Sequence, residues 1–443
     1  MKLLNFKSGW IGISYFYILL SIALLVTDIP TQYDASTTAE DIIRTSVLGD
    51  PKWFATTAVD IATNGSVSSS NNWVLNLWPP GFVFLEALII KIFGLEAPII
   101  LILQILAAGL FAGVLTLLYR LLRENLNESI SFILPLTIFA FSTSRVFLLQ
   151  PVGLSFGESF AIGFFLIGLL LSLRSVQWHN LGLAIYAGIC FALAAYFRSQ
   201  FEIILLAMTV CGLLPIVFAR LKPFIKFRTR SQTSAAKTIL VTLLVAHAAM
   251  LPWRIYHWAN NGSLAWVHTS SVTFGNSVAT TEHLESVGGG FVVAGRGNLT
   301  CRIDPATCGD KVNAKRLFIK TFLSHPVQWY TLKLEVLGEY WFSSTQNWTS
   351  VSVAATPMSY VMNTFFLIAI VAAILLLLVR KVRLHISWPV LAWLSLSLLS
   401  AYGLIFTVQQ FEVRYFYFPK IVGVVLFFIV VSMYCCREEE RKV

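Results

Sequence analysis

Chemistry at a membrane surface needs a carboxylate that can act as a base, cations that can grip an anion, and an apolar wall beside both. Asp50 is the carboxylate that stands out. It precedes Trp53 by three residues, and the polar stretch that holds both, Thr27 to Gly81, ends on Trp78-Pro79-Pro80-Gly81. The same stretch carries Asp28, Asp34, Glu40, Asp41 and Asp60, and lies between two strongly apolar regions. A carboxylate so placed can take the proton of an attacking hydroxyl. Taken alone, Asp50-Pro51 also reads as a plain helix start, with Asp at the cap and Pro at the first helical position.

Three arginines are the candidate anion grips. Arg198, Arg254 and Arg414 each stand where an apolar run meets a polar segment. A guanidinium can hold a phosphate through two parallel hydrogen bonds, which an ammonium cannot. The passive alternative is that each arginine snorkels to the interface. Glu158 is a second carboxylate. It could hold an acceptor, orient an arginine or share a metal with Asp50, or it could simply charge a helix start after Ser155 and Gly157. Tyr415 and Trp78 are the aromatic candidates for substrate contact. His257, His268, His283 and His325 show no metal-ligand spacing, and His325 before Pro326 reads as a turn residue. No metal site is predicted. No cofactor is firmly indicated, although a divalent metal is compatible with the carboxylates.

The elements that must position these residues are membrane spans. Of the 443 residues 57% are hydrophobic and only 12% are charged, about half the charge of a soluble domain. The net charge of +10 on a soluble protein would point to nucleic acid. Here the basic excess gathers in loops between apolar runs, as the positive-inside rule requires, and no interleaved aromatics support nucleic-acid binding. The chain reads as an all-α polytopic membrane protein, one domain over 1–443, with no internal repeat. No cleavable-signal pattern follows the first apolar run.

Ten spans are expected, with both ends inside: Trp10–Val26, Ala97–Tyr119, Ile130–Leu148, Phe160–Leu173, Leu181–Tyr196, Phe201–Ala219, Thr238–Leu251, Met358–Val379, Ile386–Val408 and Phe418–Tyr434. The run Phe82–Phe93 is only twelve residues and holds Glu86 and Lys91, so it is expected not to span. This topology leaves two outer segments, 27–81 and 252–356. The basic inner loop with Arg220, Lys222, Lys226, Arg228, Arg230 and Lys237 fits contact with anionic lipid. Cys301 and Cys308 flank a short outer loop and are expected to pair if the compartment is oxidising.

The first loop resembles that of GT-C fold glycosyltransferases, nearest to the branch of protein O-mannosyltransferases and aminoarabinose transferases. There an Asp precedes an aromatic by three residues, a helix follows, and Pro-Pro leads back to the membrane. The resemblance continues in order through Phe197-Arg198, Leu251-Pro252-Trp253-Arg254 with Asn260-Asn261-Gly262, His325-Pro326-x-x-Trp329-Tyr330 and Arg414-Tyr415 before Pro419. It departs at Leu77-Trp78, where the family often places a charge. It implies a GT-C-like bundle of about 10–11 transmembrane helices with external loop helices, and Asp50 as the catalytic carboxylate. It also implies a polyprenyl-phosphate sugar donor, a lipid, glycan or protein acceptor, and a site on the outer face of a membrane, in bacteria the periplasmic side of the inner membrane. A transporter or flippase for lipid-linked saccharides, and a surface-polysaccharide polymerase or ligase using diphosphate-linked donors, are the alternatives. Charges kept at span ends, with no matched halves, favour the enzyme.

Overall fold

The computed structural model describes residues 6–25, 33–45, 50–149, 157–221, 230–261, 270–280, 299–343, 356–383, 385–408 and 413–435. The basic residues Lys222, Lys226 and Arg228, the histidines His268 and His283, and the glycines at 288–290 lie outside these described residues. No β-strand occurs among the described residues. Apolar runs without two-residue alternation choose helix, and a backbone in hydrocarbon must satisfy its own polar groups, which a helix does.

Helix α1 (Phe6–Leu25) leads into the first polar segment. That segment folds as α2 (Ala39–Thr45), α3 (Asp50–Asn64), α4 (Asn72–Leu77) and α5 (Gly81–Phe93). Next come α6 (Ile99–Leu122), α7 (Glu128–Leu136), α8 (Ser142–Leu149), α9 (Glu158–Gln177), α10 (Leu181–Phe197), α11 (Gln200–Leu221) and α12 (Arg230–Asn261). The second polar segment contains α13 (Ser270–Val278), α14 (Leu299–Ile303), α15 (Ala314–Ser324) and α16 (Pro326–Phe342). The chain closes with α17 (Pro357–Leu377), α18 (Trp388–Val408) and α19 (Tyr417–Tyr434).

Among the described residues six helices are long and apolar enough to cross a membrane: α6, α9, α12, α17, α18 and α19. Four shorter apolar helices lie at the other expected runs: α1, α7 with the turn that extends it, α10 and α11. The protein is an integral, multi-pass membrane protein. Helix α5 has 13 residues. It reaches about 20 Å against the roughly 30 Å of a hydrocarbon core.

Two expected spans depart most from the helices formed. Ile130–Leu148 is not one helix. Pro135 lies near the end of α7, a 3-10 turn follows at Thr137–Ala140, and α8 starts at Ser142. Proline removes a donor and crowds the preceding turn, and the Thr137 hydroxyl donates back to the Leu134 carbonyl at 2.6 Å. Helix α12 does not stop at Leu251. It runs through Pro252 to Asn261, so Arg254 sits on the helix rather than in a loop beyond it.

The core is aromatic and aliphatic, and it is continuous through the bundle. Phe165 of α9 touches Phe191 of α10, Phe201 of α11 and Phe418 of α19. The Trp393 indole donates to the Met208 carbonyl at 2.8 Å, joining α18 to α11. The second polar segment docks on the same bundle through Trp329, which donates to the Thr407 carbonyl at 3.0 Å, and Trp341, which donates to the Asn363 carbonyl at 3.1 Å. The expected bridge between Cys301 and Cys308 is not formed, and both thiols are free. The Cys301 sulfur is turned inward, donating to the Val278 carbonyl at 3.1 Å, while Cys308 is exposed. Burial, and then the neighbouring Cys308, push the Cys301 thiol up to about 12.

Candidate functional site

Asp50 is the first residue of α3 and is half-buried. Its helix forms because Asp50-Pro51 starts it and Phe54, Ala55, Thr57 and Ala58 give it a buried face. One turn beyond Asp50 an aromatic cluster locks the first loop. Trp53 meets Trp73 edge-on at 5.2 Å, and Phe54 meets Trp78 at 5.3 Å and Phe82 at 6.0 Å. Trp78 is therefore half-buried inside the loop's own packing, between Phe54 and Trp73. Asp60 closes the far side of the loop. It accepts from the Ser68 backbone at 3.2 Å, from the Ser68 hydroxyl and from the Asn71 amide at 2.7 Å. Burial alone would raise the Asp60 carboxyl, but those donors outweigh it and hold the group below the usual carboxylate range.

The loop is fastened to the bundle at the end of α10. Gly81 lies so close that an added Cβ would stand 2.7 Å from the Tyr196 carbonyl oxygen, and Gly157 lies as close to the Phe197 carbonyl, 2.6 Å on the same measure. Phe82 also reaches Phe160, which stacks on Phe197 at 5.3 Å. A run of ring contacts thus leads from α3 to the residue before Arg198.

Arg198 ends α10 in an extended conformation, and its carbonyl and that of Ser199 cap the tight turn into α11 by accepting from Phe201 and Glu202 at 3.0 Å each. Its guanidinium pairs with Glu158, the first residue of α9, at 2.7 Å. Glu158 is 2% exposed and Arg198 12%. The structure therefore brings these two candidates together, and the helix start also favours the Glu158 charge. Arg254 is buried on α12 and interacts electrostatically with Glu202 and Tyr196, two residues before Arg198. Next to it, Trp253 stacks on Tyr256, whose hydroxyl donates to the Asn72 side chain of the first loop at 3.4 Å. Arg198 and Arg254 thus occupy one pole of the bundle, against the loop that carries Asp50.

Arg414 and Tyr415 lie on a 3-10 turn, Val413–Phe416. The Arg414 side chain lies outside what is described, and Tyr415 is half-buried. The turn sits at the same pole, because Phe418 packs on Phe201, three residues after Arg198. Beside it an apolar cavity of about 120 Å³ opens between α17, α18 and α19, walled by Ala373, Leu398, Tyr402, Phe418, Pro419 and Val422 among others.

Sequence reasoning missed four charged groups in this region. Glu202 is buried one turn after Arg198. Lys420 is buried on α19, donating to the Trp341 carbonyl at 3.0 Å beneath the Trp341 ring. Lys333 is buried on α16, where burial pushes its ammonium down to about 7. Glu86 was weighed only as a mark against spanning, yet it is 1% exposed on α5 and burial pushes it up to about 8. Each is a charged residue within an apolar stretch of helix, a signal that was readable. Among the described residues no group of three or more His, Cys, Asp or Glu side chains is placed to hold a metal.

No protein-family model matches the chain, and no curated protein matches it. Solved structures do. The AglB oligosaccharyltransferase of Archaeoglobus fulgidus, in complex with an inhibitory peptide and a dolichol-phosphate, is similar with a TM-score of 0.51 at 14% identity, over 97% of this chain and 51% of that one. This chain thus spans about half the length of that protein. ArnT of Cupriavidus metallidurans, bound to undecaprenyl phosphate, gives a TM-score of 0.35 at 12% identity, over 96% and 77% of the two chains. The fold is that of the GT-C membrane proteins.

Proposed function

We propose that this GT-C bundle transfers a sugar from a polyprenyl-phosphate donor to an acceptor hydroxyl at the pole carrying the first loop, the periplasmic or exterior face of the membrane. The reading is supported most by one observation. Two guanidinium groups, the buried Arg254 and the half-buried Arg198, gather at the rim on which the Asp50 loop is docked. The donor has an apolar tail, one phosphate and a sugar. The cavity beginning at Phe418 and Pro419 suits the start of the tail. Arg254, Arg198 and Arg414 hold the phosphate, which leaves as an anion and so needs cations rather than an acid. Asp50 takes the acceptor's proton. Glu158 orients Arg198, a role its 2.7 Å contact supports. The similar AglB structure holds a dolichol-phosphate, which agrees with a lipid-phosphate donor here.

The test is incubation of the purified, reconstituted protein with radiolabelled polyprenyl-phosphate sugars and membrane extract as acceptor source. One donor is expected to be consumed with release of polyprenyl phosphate, and Arg254→Lys is expected to weaken its use, because charge is kept but the fork is lost. Failure to consume any donor, together with failure to bind polyprenyl phosphate, would overturn the proposal.

A further inference from the structure

The corner between α15 and α16 carries a surface that the transfer reaction does not use. Both helices bury one face: Ala314, Phe318 and Thr321 on α15, and Trp329, Lys333, Val336 and Tyr340 on α16. Both are also apolar on the opposite side. Ile319 is 45% exposed and Leu323 68%, one turn apart, and Val327 is 79% and Leu334 60% exposed, two turns apart. An apolar stripe opposite a buried face has no account in the packing of the described residues.

Cations frame that stripe. Lys315, Arg316 and Lys320 are exposed. With Val312, Asn313 and Ile319 they line one shallow concavity on α15. Basic groups around aliphatic ones are the composition of a helix lying in a lipid interface.

The height of the corner follows from what holds it. The Trp329 indole donates to the carbonyl of Thr407 at 3.0 Å, and the Tyr330 and Thr407 hydroxyls are 2.9 Å apart. The Tyr330 ring lies parallel to Phe406 at 6.2 Å. Thr407 is the last residue but one of α18, so the corner is fixed at the level where that span leaves the hydrocarbon. Trp and Tyr favour that level.

We propose that the α15–α16 corner is an interfacial binding site for the phosphate headgroups of anionic phospholipids. Leu323 and Val327 enter the headgroup and acyl boundary, and Lys315, Arg316 and Lys320 hold the phosphates. A second copy is the poorer occupant, because a two-fold contact sets the cations of both copies against each other.

The test uses the full chain in lipid nanodiscs, with an environment-sensitive fluorescent amino acid in place of Leu323 or Val327. The lipid is brominated phosphatidylcholine, with or without phosphatidylglycerol. Quenching is expected at both positions and is expected to rise with phosphatidylglycerol. Each cation near an anionic surface favours docking roughly fivefold, so the variant K315E/R316E/K320E is expected to lose the phosphatidylglycerol response while keeping its fold, read by thermal unfolding in detergent. Three results would overturn the proposal: no quenching in either lipid; quenching indifferent both to phosphatidylglycerol and to the charge reversal; or shielding that depends on protein concentration and survives without anionic lipid, which would mean a second copy covers the corner.

Discussion

Replacing Gly81 by alanine probes how the first loop is held. The added methyl would lie 2.7 Å from the Tyr196 carbonyl oxygen, 2.9 Å from its carbon and 3.1 Å from the Phe197 nitrogen. Ordinary contact starts at 3.4 Å, so α5 must retreat by about 0.7 Å, the difference between 3.4 and 2.7. All three atoms are backbone, and no side chain can rotate away to make room. Overpacking of this kind costs about 1–3 kcal/mol. The retreat also moves Phe82, which touches Phe54 one turn from Asp50. Misplacing a reacting group by about 1 Å lowers a rate on the order of 100-fold, so Gly81→Ala is expected to reduce kcat by about 10- to 100-fold with little change in donor affinity. The assay is donor consumption at saturating donor, with thermal unfolding in detergent beside it. Gly113→Ala is the control, since nothing lies within 4 Å of the added carbon. It is expected to keep the rate and gain up to about 1 kcal/mol. A Gly81→Ala protein with wild-type kcat would refute the idea that this contact positions Asp50.

Other substitutions test the surrounding charges. Glu158→Ala leaves the half-buried Arg198 guanidinium without its 2.7 Å partner; a loss of up to about 3 kcal/mol is expected, and a thermal midpoint equal to wild type would contradict it. Asp60→Ala removes three hydrogen bonds and is expected to cost about 2–3 kcal/mol at about 1 kcal/mol each. Because the folded Asp60 carboxyl is held below its ordinary value, its contribution is present above about pH 4 and lost as pH falls further; proteolysis of the loop against pH reads this. Glu86 has the opposite sign. Its folded value is about 8 and an unfolded glutamate ionises near about 4.3, so wild-type stability is expected to fall as pH rises between those values. Glu86→Gln is expected to flatten that slope, worth a few kcal/mol at most, and an unchanged unfolding profile from pH 5 to pH 8 would count against the buried carboxyl.

Apolar run length placed the helices well, because a hydrocarbon environment leaves the backbone few choices. What it could not place were helix ends governed by local sterics. Pro135 broke one expected span, whereas Pro252 was accommodated inside α12, and no composition rule separates the two. The arginines were legible as cations at span ends, but the Arg198–Glu158 pair was not, since those residues are forty positions apart and meet only because α9 and α10 begin and end together. The Cys301–Cys308 spacing allowed a bridge. The two thiols do lie side by side, with Cys301 also donating to the Val278 carbonyl, but no bridge joins them.

The most direct test of the central claim is single-turnover transfer by Asp50→Asn, with donor binding measured on the same preparation. If Asp50 removes the acceptor's proton, binding should stay near wild type while the transfer rate falls by about 10²- to 10⁴-fold. Transfer at close to the wild-type rate by the Asn variant would contradict the claim and remove Asp50 from the chemistry.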